Sequence, residues 1–119
     1  MIKIKRAYES VSDDDGYRVL VDRIWPRGIS KEKAAINEWL KEVAPSNKLR
    51  KWFGHDPAKY ADFHEQYLKE LNDGSQQEAF ERLCELNREQ DQLTLVYGAK
   101  DQEHNQAVVL KERLEQIND

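Results

Sequence analysis

Asp22, Arg23 and Arg27 stand close together in the stretch DRIWPRGIS, which follows directly on the apolar run YRVLV. A carboxylate can give or take a proton, and arginine offers a planar fork of donors that matches a carboxylate or a phosphate. A second stretch, YGAKDQEHN, supplies Tyr97, Lys100 and His104. Lys100 is a compact charge, His104 carries an imidazole, and both stand beside the expected start of a helix, whose free N–H groups favour an anion. The chemistry implied is recognition of a small anionic molecule such as a nucleotide, a sugar phosphate or a carboxylate. Arg23, Arg27, Arg50 and Lys100 would hold the anion, Asp22 or His104 would act as acid or base, Tyr97 would donate a hydrogen bond, and Trp25 would stack on a ring.

Each of these residues also has a purely structural use. Arg23 suits a strand-end ion pair, Asp22 a turn cap, Trp25 the packing of a small core, and Pro26 and Gly28 the corner itself. His55, in GHDP, can cap carbonyls or reach a cleft, whereas His64 lies beside an apolar helical stripe and reads as a packing or surface residue. There is no HExxH, so no metal site is assigned, and the residues assign no cofactor. The absence of GxxxxGK[ST] and GxGxxG weakens phosphate-loop and dinucleotide readings. Without GxSxG, and with Cys84 as the lone thiol, acyl-enzyme chemistry lacks a nucleophile.

The elements that must position these residues follow from periodicity. IKIK alternates as a strand with one buried face, and SDDDG breaks the chain. Val19, Leu20 and Val21 are consecutive and apolar, which predicts a central strand covered on both faces. Alternation along that strand sends Asp22 and Arg23 to opposite faces. Ser30 caps a short helix through KEKAAI. Residues 37–43 fit either a helix or a strand whose one face carries Trp39, Lys41 and Val43.

Ser46 then caps a helix whose inward face is Leu49, Trp52 and Phe53, and Gly54 ends it. Asp56-Pro57 opens a helix with Tyr60, Phe63, Tyr67, Leu68 and Leu71 inward, and Ser75 to Glu78 match a capping box for the next. LTLVYGA is a buried strand, and Asp101 caps a last helix carrying Ala107, Leu110, Leu114 and Ile117. The order β-β-α-β-α-α-α-β-α predicts one small α/β domain over residues 1–119, with a mixed, mainly parallel sheet of about four strands flanked by helices. In such folds ligands bind beyond the carboxyl ends of the strands, where DRIWPRG and YGAKDQEHN both lie.

Composition narrows the partners. At 119 residues the chain suits one domain. Its 35% charged residues sum to a formal net charge of -4, which argues against general binding of nucleic acid. No run approaches the ~18 apolar residues of a membrane span, the start MIKIKRAYE has no apolar leader core, and a single cysteine suits a reducing compartment, so the expected location is cytoplasmic.

DGYRVLVDRIWPRGISK, EWLKEVAPSNKLRKWFGHDP and LTLVYGAKDQEHNQAVVLKE together resemble the YeaO-like branch of the bacterial family called domain of unknown function 488. The resemblance covers nearly the whole chain. It implies shared positions at Asp22, Arg23, Trp25, Pro26, Arg27, Gly28, Trp39, Lys41, Ser46, Arg50, His55, Tyr67, Tyr97, Lys100, His104 and Asn105, and it tips residues 37–43 toward strand. It also implies cysteines and a His-Arg pair in the wider family, where this chain has Tyr97, Asn105 and Gln106-Ala107. Thiol or metal chemistry of distant members is therefore not expected here. A non-enzymatic module that docks a protein or nucleic acid through LRKWFGHD is the alternative, recognisable by an exposed apolar patch at Trp52 or Phe53.

Overall fold

The computed structural model describes residues 1–117. Its strands are β1 (Ile2–Arg6), β2 (Tyr17–Leu20), β3 (Glu38–Trp39) and β4 (Leu93–Tyr97). Its helices are α1 (Lys31–Ala34), α2 (Asn47–Phe53), α3 (Tyr60–Glu70), α4 (Gly74–Glu89) and α5 (Gln106–Ile117). The sheet order is β1-β4-β2-β3, and every pair is parallel. The antiparallel member that a mixed sheet allows is absent among the described residues, because each connection returns to the same end before the next strand begins.

The two faces of the sheet are covered differently. Leu93, Leu95 and Tyr97 of β4, with Val19 and Val21, face the main core built by Leu49, Phe53, Phe63, Tyr67, Leu83, Leu110 and Leu114 of the long helices. On the opposite face Leu20, Val96 and Ala7 pack under Trp25, Ile29, Ile36 and Trp39. The consecutive apolar residues of β2 and β4 follow from this double cover.

The alternate residues of β1, Lys3 and Lys5, share that second face with Arg18 and Thr94, and a short 3-10 turn at Asp13–Asp15 closes over them. Asp15 accepts from Arg18 at 2.6 Å, from Lys3 at 2.7 Å and from Lys5 at 3.1 Å. Arg18 also donates to the Ala34 carbonyl, and Thr94 to the Asp15 carbonyl. Burial pushes the Asp15 carboxyl up, but its hydrogen bonds to Lys3, the Ser12 N–H and Lys5 outweigh it and hold the group well below the usual carboxylate range.

Local signals place most boundaries. Ser30 and Ser46 accept from the Lys33 and Leu49 N–H groups, and Gly54 ends α2 in the left-handed region at φ 54°. Four expectations are corrected. β3 is only two residues long, and Lys41–Val43 form a 3-10 turn, so Lys41 and Val43 do not share a strand face with Trp39. α4 begins at Gly74, one residue ahead of Ser75, with Asp73 as its cap residue. Asp101 caps the turn before the last helix, while Asn105 accepts from the Val108 N–H and so caps α5 itself. Trp52 is 44% exposed, because the apolar face of α2 is narrow enough to be filled by Leu49 and Phe53.

The Asp15 cluster yields a stability prediction. Arg18→Ala removes the most buried of the three cations around Asp15 and both bonds to the Ala34 carbonyl, and a broken buried pair costs roughly 3–5 kcal/mol. The expected outcome is a lower urea midpoint with an unchanged slope. A midpoint equal to that of the unsubstituted chain would show that Lys3 and Lys5 satisfy Asp15 alone.

Candidate functional site

A cavity of about 210 Å³ opens at the carboxyl ends of β2 and β4. Asp22, Arg23 and Ile24 line it from the segment after β2, Gly98, Ala99, Asn105 and Gln106 from the segment after β4, and Ala44, Pro45, Arg50, Phe53, His55 and Phe63 from the remaining side. Regular strand pairing of β2 ends at Leu20, with a last sheet bond from the Val21 N–H to the Val96 carbonyl. Beyond it the alternation of faces lapses. Asp22 and Arg23 therefore reach the same cavity, where opposite faces had been expected.

Asp22 is fixed from three directions. Its backbone carbonyl accepts from Trp39 Nε1 at 2.7 Å, one carboxylate oxygen accepts from the Gly98 N–H at 2.8 Å, and the other accepts from the Gln106 amide. Gly98 has to be glycine for this contact, since a Cβ there would stand 2.9 Å from the carboxylate. Burial pushes the Asp22 carboxyl up to about 6; the Gly98 N–H, the Gln106 amide and the nearby Arg50 charge pull the other way without overcoming it.

Arg23 builds the cavity wall. Its Nε donates to the Pro45 carbonyl at 3.2 Å and Nη2 to the Ala44 carbonyl at 3.0 Å, while Nη1 stands 3.4 Å from Glu42. Tyr67 donates to the Val43 carbonyl and Gln76 to that of Ala44, so three side chains hold residues 43–45 in place. Phe53 and Phe63, stacked at 4.3 Å, make the apolar side. Arg50 and His55 are exposed at the rim, His55 with φ 58°.

The remaining expected residues do not meet this cavity. Arg27 and Lys100 are exposed away from it, and His104 turns to Asp101 (Nδ1 to Oδ2, 2.9 Å) and to the edge of the Tyr60 ring. Trp25 donates to the Ile29 carbonyl and packs edge-on against Trp39 at 5.4 Å, so it is a core residue of the second face and not a stacking platform. Lys41 lies over the Trp39 ring. Tyr97 is buried in the main core, where desolvation raises its pKa. The convergence of Arg23, Arg27, Lys100 and His104 on one cleft is thus overturned, and Asp22, Arg23, Arg50, His55 and Asn105 come together instead. Sequence reasoning missed Gly98, Gln106, Phe53 and Phe63 as site residues. A glycine directly after a buried parallel strand was the one available signal for close approach. Among the described residues no group of acids, histidines or cysteines is placed to hold a metal ion, and no helix is long and apolar enough to cross a membrane.

Asp22 makes stability depend on pH in a definite sense. Its folded pKa lies above the ordinary 3.8, so between about pH 4 and 6 the folded chain binds more protons than the unfolded one, and its contribution to stability falls as pH rises through that window. Asp22→Asn removes the charge, and a flip of the Gln106 amide can pair with the new one. The variant is expected to gain on the unsubstituted chain from pH 4 to 7, by up to roughly 3 kcal/mol at one pKa unit per 1.36 kcal/mol. Urea midpoints of both proteins across this range check it; parallel curves would show that Asp22 titrates normally.

Comparison with known proteins assigns the lineage. The family model described as the inactive DUF488-N3 subclade matches residues 1–119. The chain is 46% identical over 116 residues to the uncharacterized protein YeaO of Escherichia coli (strain K12), covering 98% of each. It is also 46% identical over 74 residues to uncharacterized proteins of Mycobacterium bovis and Mycobacterium tuberculosis, covering 62% of this chain and 63% of theirs. No solved structure matches it. A match along the full length, joined to a relative aligned from end to end, establishes that the chain belongs to the DUF488 family, in the DUF488-N3 branch described as inactive.

Proposed function

We propose that the chain binds a small anionic molecule in the cavity between Asp22 and Arg50 and carries out no covalent chemistry on it. The observation that carries this reading is the pair of exposed cationic or titratable groups, Arg50 and His55, set at the rim of a preformed cavity at the strand carboxyl ends. Among the described residues Arg50 has one side-chain partner, Asn47 at 3.3 Å, which leaves most of its guanidinium donors available to a carboxylate or phosphate. A cavity of about 210 Å³ suits a carboxylate or a compact phosphate ester better than a nucleotide.

Binding without turnover fits the residues. Among the described residues none that lines the cavity carries a thiol or a hydroxyl, His104 faces elsewhere, and the matched branch is described as inactive. Cys84 is free on α4, which suits the reducing cytoplasm as the location. The alternative of a docking module has one supporting observation, the exposed Trp52. Its ring, however, is covered by Lys59 at 5.2 Å and flanked by Ser46, Lys48, Asp62, Gln66 and Glu70, so it forms no broad apolar patch, and Phe53 is buried.

Thermal-shift screening over sugar phosphates, nucleotides and organic acids tests the reading. A ligand at about a hundred times its Kd stabilises by roughly 2.7 kcal/mol. Arg50→Ala should leave unliganded stability within about 0.5 kcal/mol, as expected of an exposed side chain, and should abolish the shift. Stabilisation that survives this substitution would place the ligand elsewhere.

A further inference from the structure

The polar groups of the cavity are unevenly distributed. Near its floor, each donor nitrogen already makes one bond, and only Arg23, Asn105 and Gln106 keep a further N–H group. The Gly98 N–H and the Gln106 amide go to Asp22, the Asn105 amide goes to the Asp101 carbonyl, and all three nitrogens of Arg23 go to Pro45, Ala44 and Glu42. The Asp22 carboxylate is an acceptor with lone pairs to spare, since each oxygen takes a single bond. At the rim the order reverses, because Arg50 and His55 are exposed and Arg50 keeps free donors. The stacked rings of Phe53 and Phe63, both buried, form the apolar part of the lining.

A bare anion seated on the floor would meet the Asp22 carboxylate, and like charges in a partly dehydrated site repel. A bare anion held only at the rim would leave the floor empty and would compete with the Asp22 carboxylate for the Arg50 charge that already acts on it. One ligand geometry satisfies both ends. We propose that the cavity selects a small zwitterion, whose primary ammonium group pairs with Asp22, whose short methylene spacer lies on Phe53 and Phe63, and whose carboxylate or phosphate pairs with Arg50. This rests on the anion-binding reading above and adds the class of ligand. Asp22 is then the specificity-determining residue, and Arg50 the affinity-determining one.

Matched ligand pairs test the selection without altering the protein. 4-Aminobutanoate is compared with butanoate, and phosphoethanolamine with ethyl phosphate, by isothermal titration at neutral pH. In at least one pair the amino member should bind about tenfold tighter or more, equivalent to ~1.4 kcal/mol. The pair that shows it also distinguishes a carboxylate from a phosphate at Arg50. In Asp22→Asn, verified as folded by its thermal transition, the preference should fall below about threefold, while Arg50→Ala should weaken both members of the pair. Equal binding within both pairs overturns the selection and leaves anion binding standing. A preference that persists in Asp22→Asn overturns the role of Asp22, and no binding by any of the four compounds overturns both the selection and the anion reading for this size class.

Discussion

β4 is hydrogen-bonded along both edges and covered on both faces, so none of its peptide groups or side chains has water as a partner. A strand in that position can exist only if β1 and β2 supply its backbone partners and the two layers supply its packing. The rest of the architecture follows from this requirement. Leu93, Leu95 and Tyr97 need the long helices, Val96 needs the layer of Trp25 and Trp39, and Thr94 needs the Asp15 carbonyl. Because every neighbour of β4 is parallel, the carboxyl ends of the strands lie together at one end of the sheet. The chain must leave the sheet there in irregular segments, and that is where the cavity forms.

Those irregular segments are held by side chains rather than by pairing. Residues 43–45 have no strand partner, and their carbonyls are met by Tyr67, Arg23 and Gln76. Arg23 is therefore structural in the same sense as a cap: its fork satisfies the Pro45 carbonyl and shares the Ala44 carbonyl with Gln76. The consequence for function is direct. Three of the five N–H groups of Arg23 are spent on the fold, so Arg50, which α2 presents at the rim with one side-chain bond among the described residues, is the better placed arginine for the proposed anion site.

Periodicity made the element order readable except at residues 37–43, where the resemblance decided for a strand, because the buried strands announce themselves by consecutive apolar residues and the helices by stripes such as Tyr60, Phe63 and Tyr67. The full-length resemblance rested on DRIWPRGIS and LTLVYGAKDQEHN and matched the lineage found by comparison. What could not be read was the direction of side chains beyond the end of β2. Alternation holds only while pairing holds, so it failed at Asp22 and Arg23, one and two residues past the last sheet bond. The same limit explains Lys100 and His104. Both were assigned to the start of a helix that begins only at Gln106, and the intervening turn, organised by Asp101, rotates them away. Trp25 was ambiguous for another reason, since its type suits a core as well as a ligand ring, and only the position of Trp39 decides between them.

Asp15 and Asp22 show how one residue type serves two ends of one sheet. Both are withdrawn from water, and for both burial works against the charge. Asp15 sits among Lys3, Lys5 and Arg18, whose contacts overcome that penalty, and the resulting cluster is closed and complete. Asp22 has two neutral donors and a more distant arginine, which do not overcome it, and the carboxyl stays near about 6. A buried acid with too little compensation destabilises the chain that carries it, and a hydrophobic residue of similar size at that strand end would avoid the penalty. Asp15 needs no explanation beyond the fold. Asp22 does need one, and a cation delivered into the cavity from outside would supply the compensation that the protein lacks.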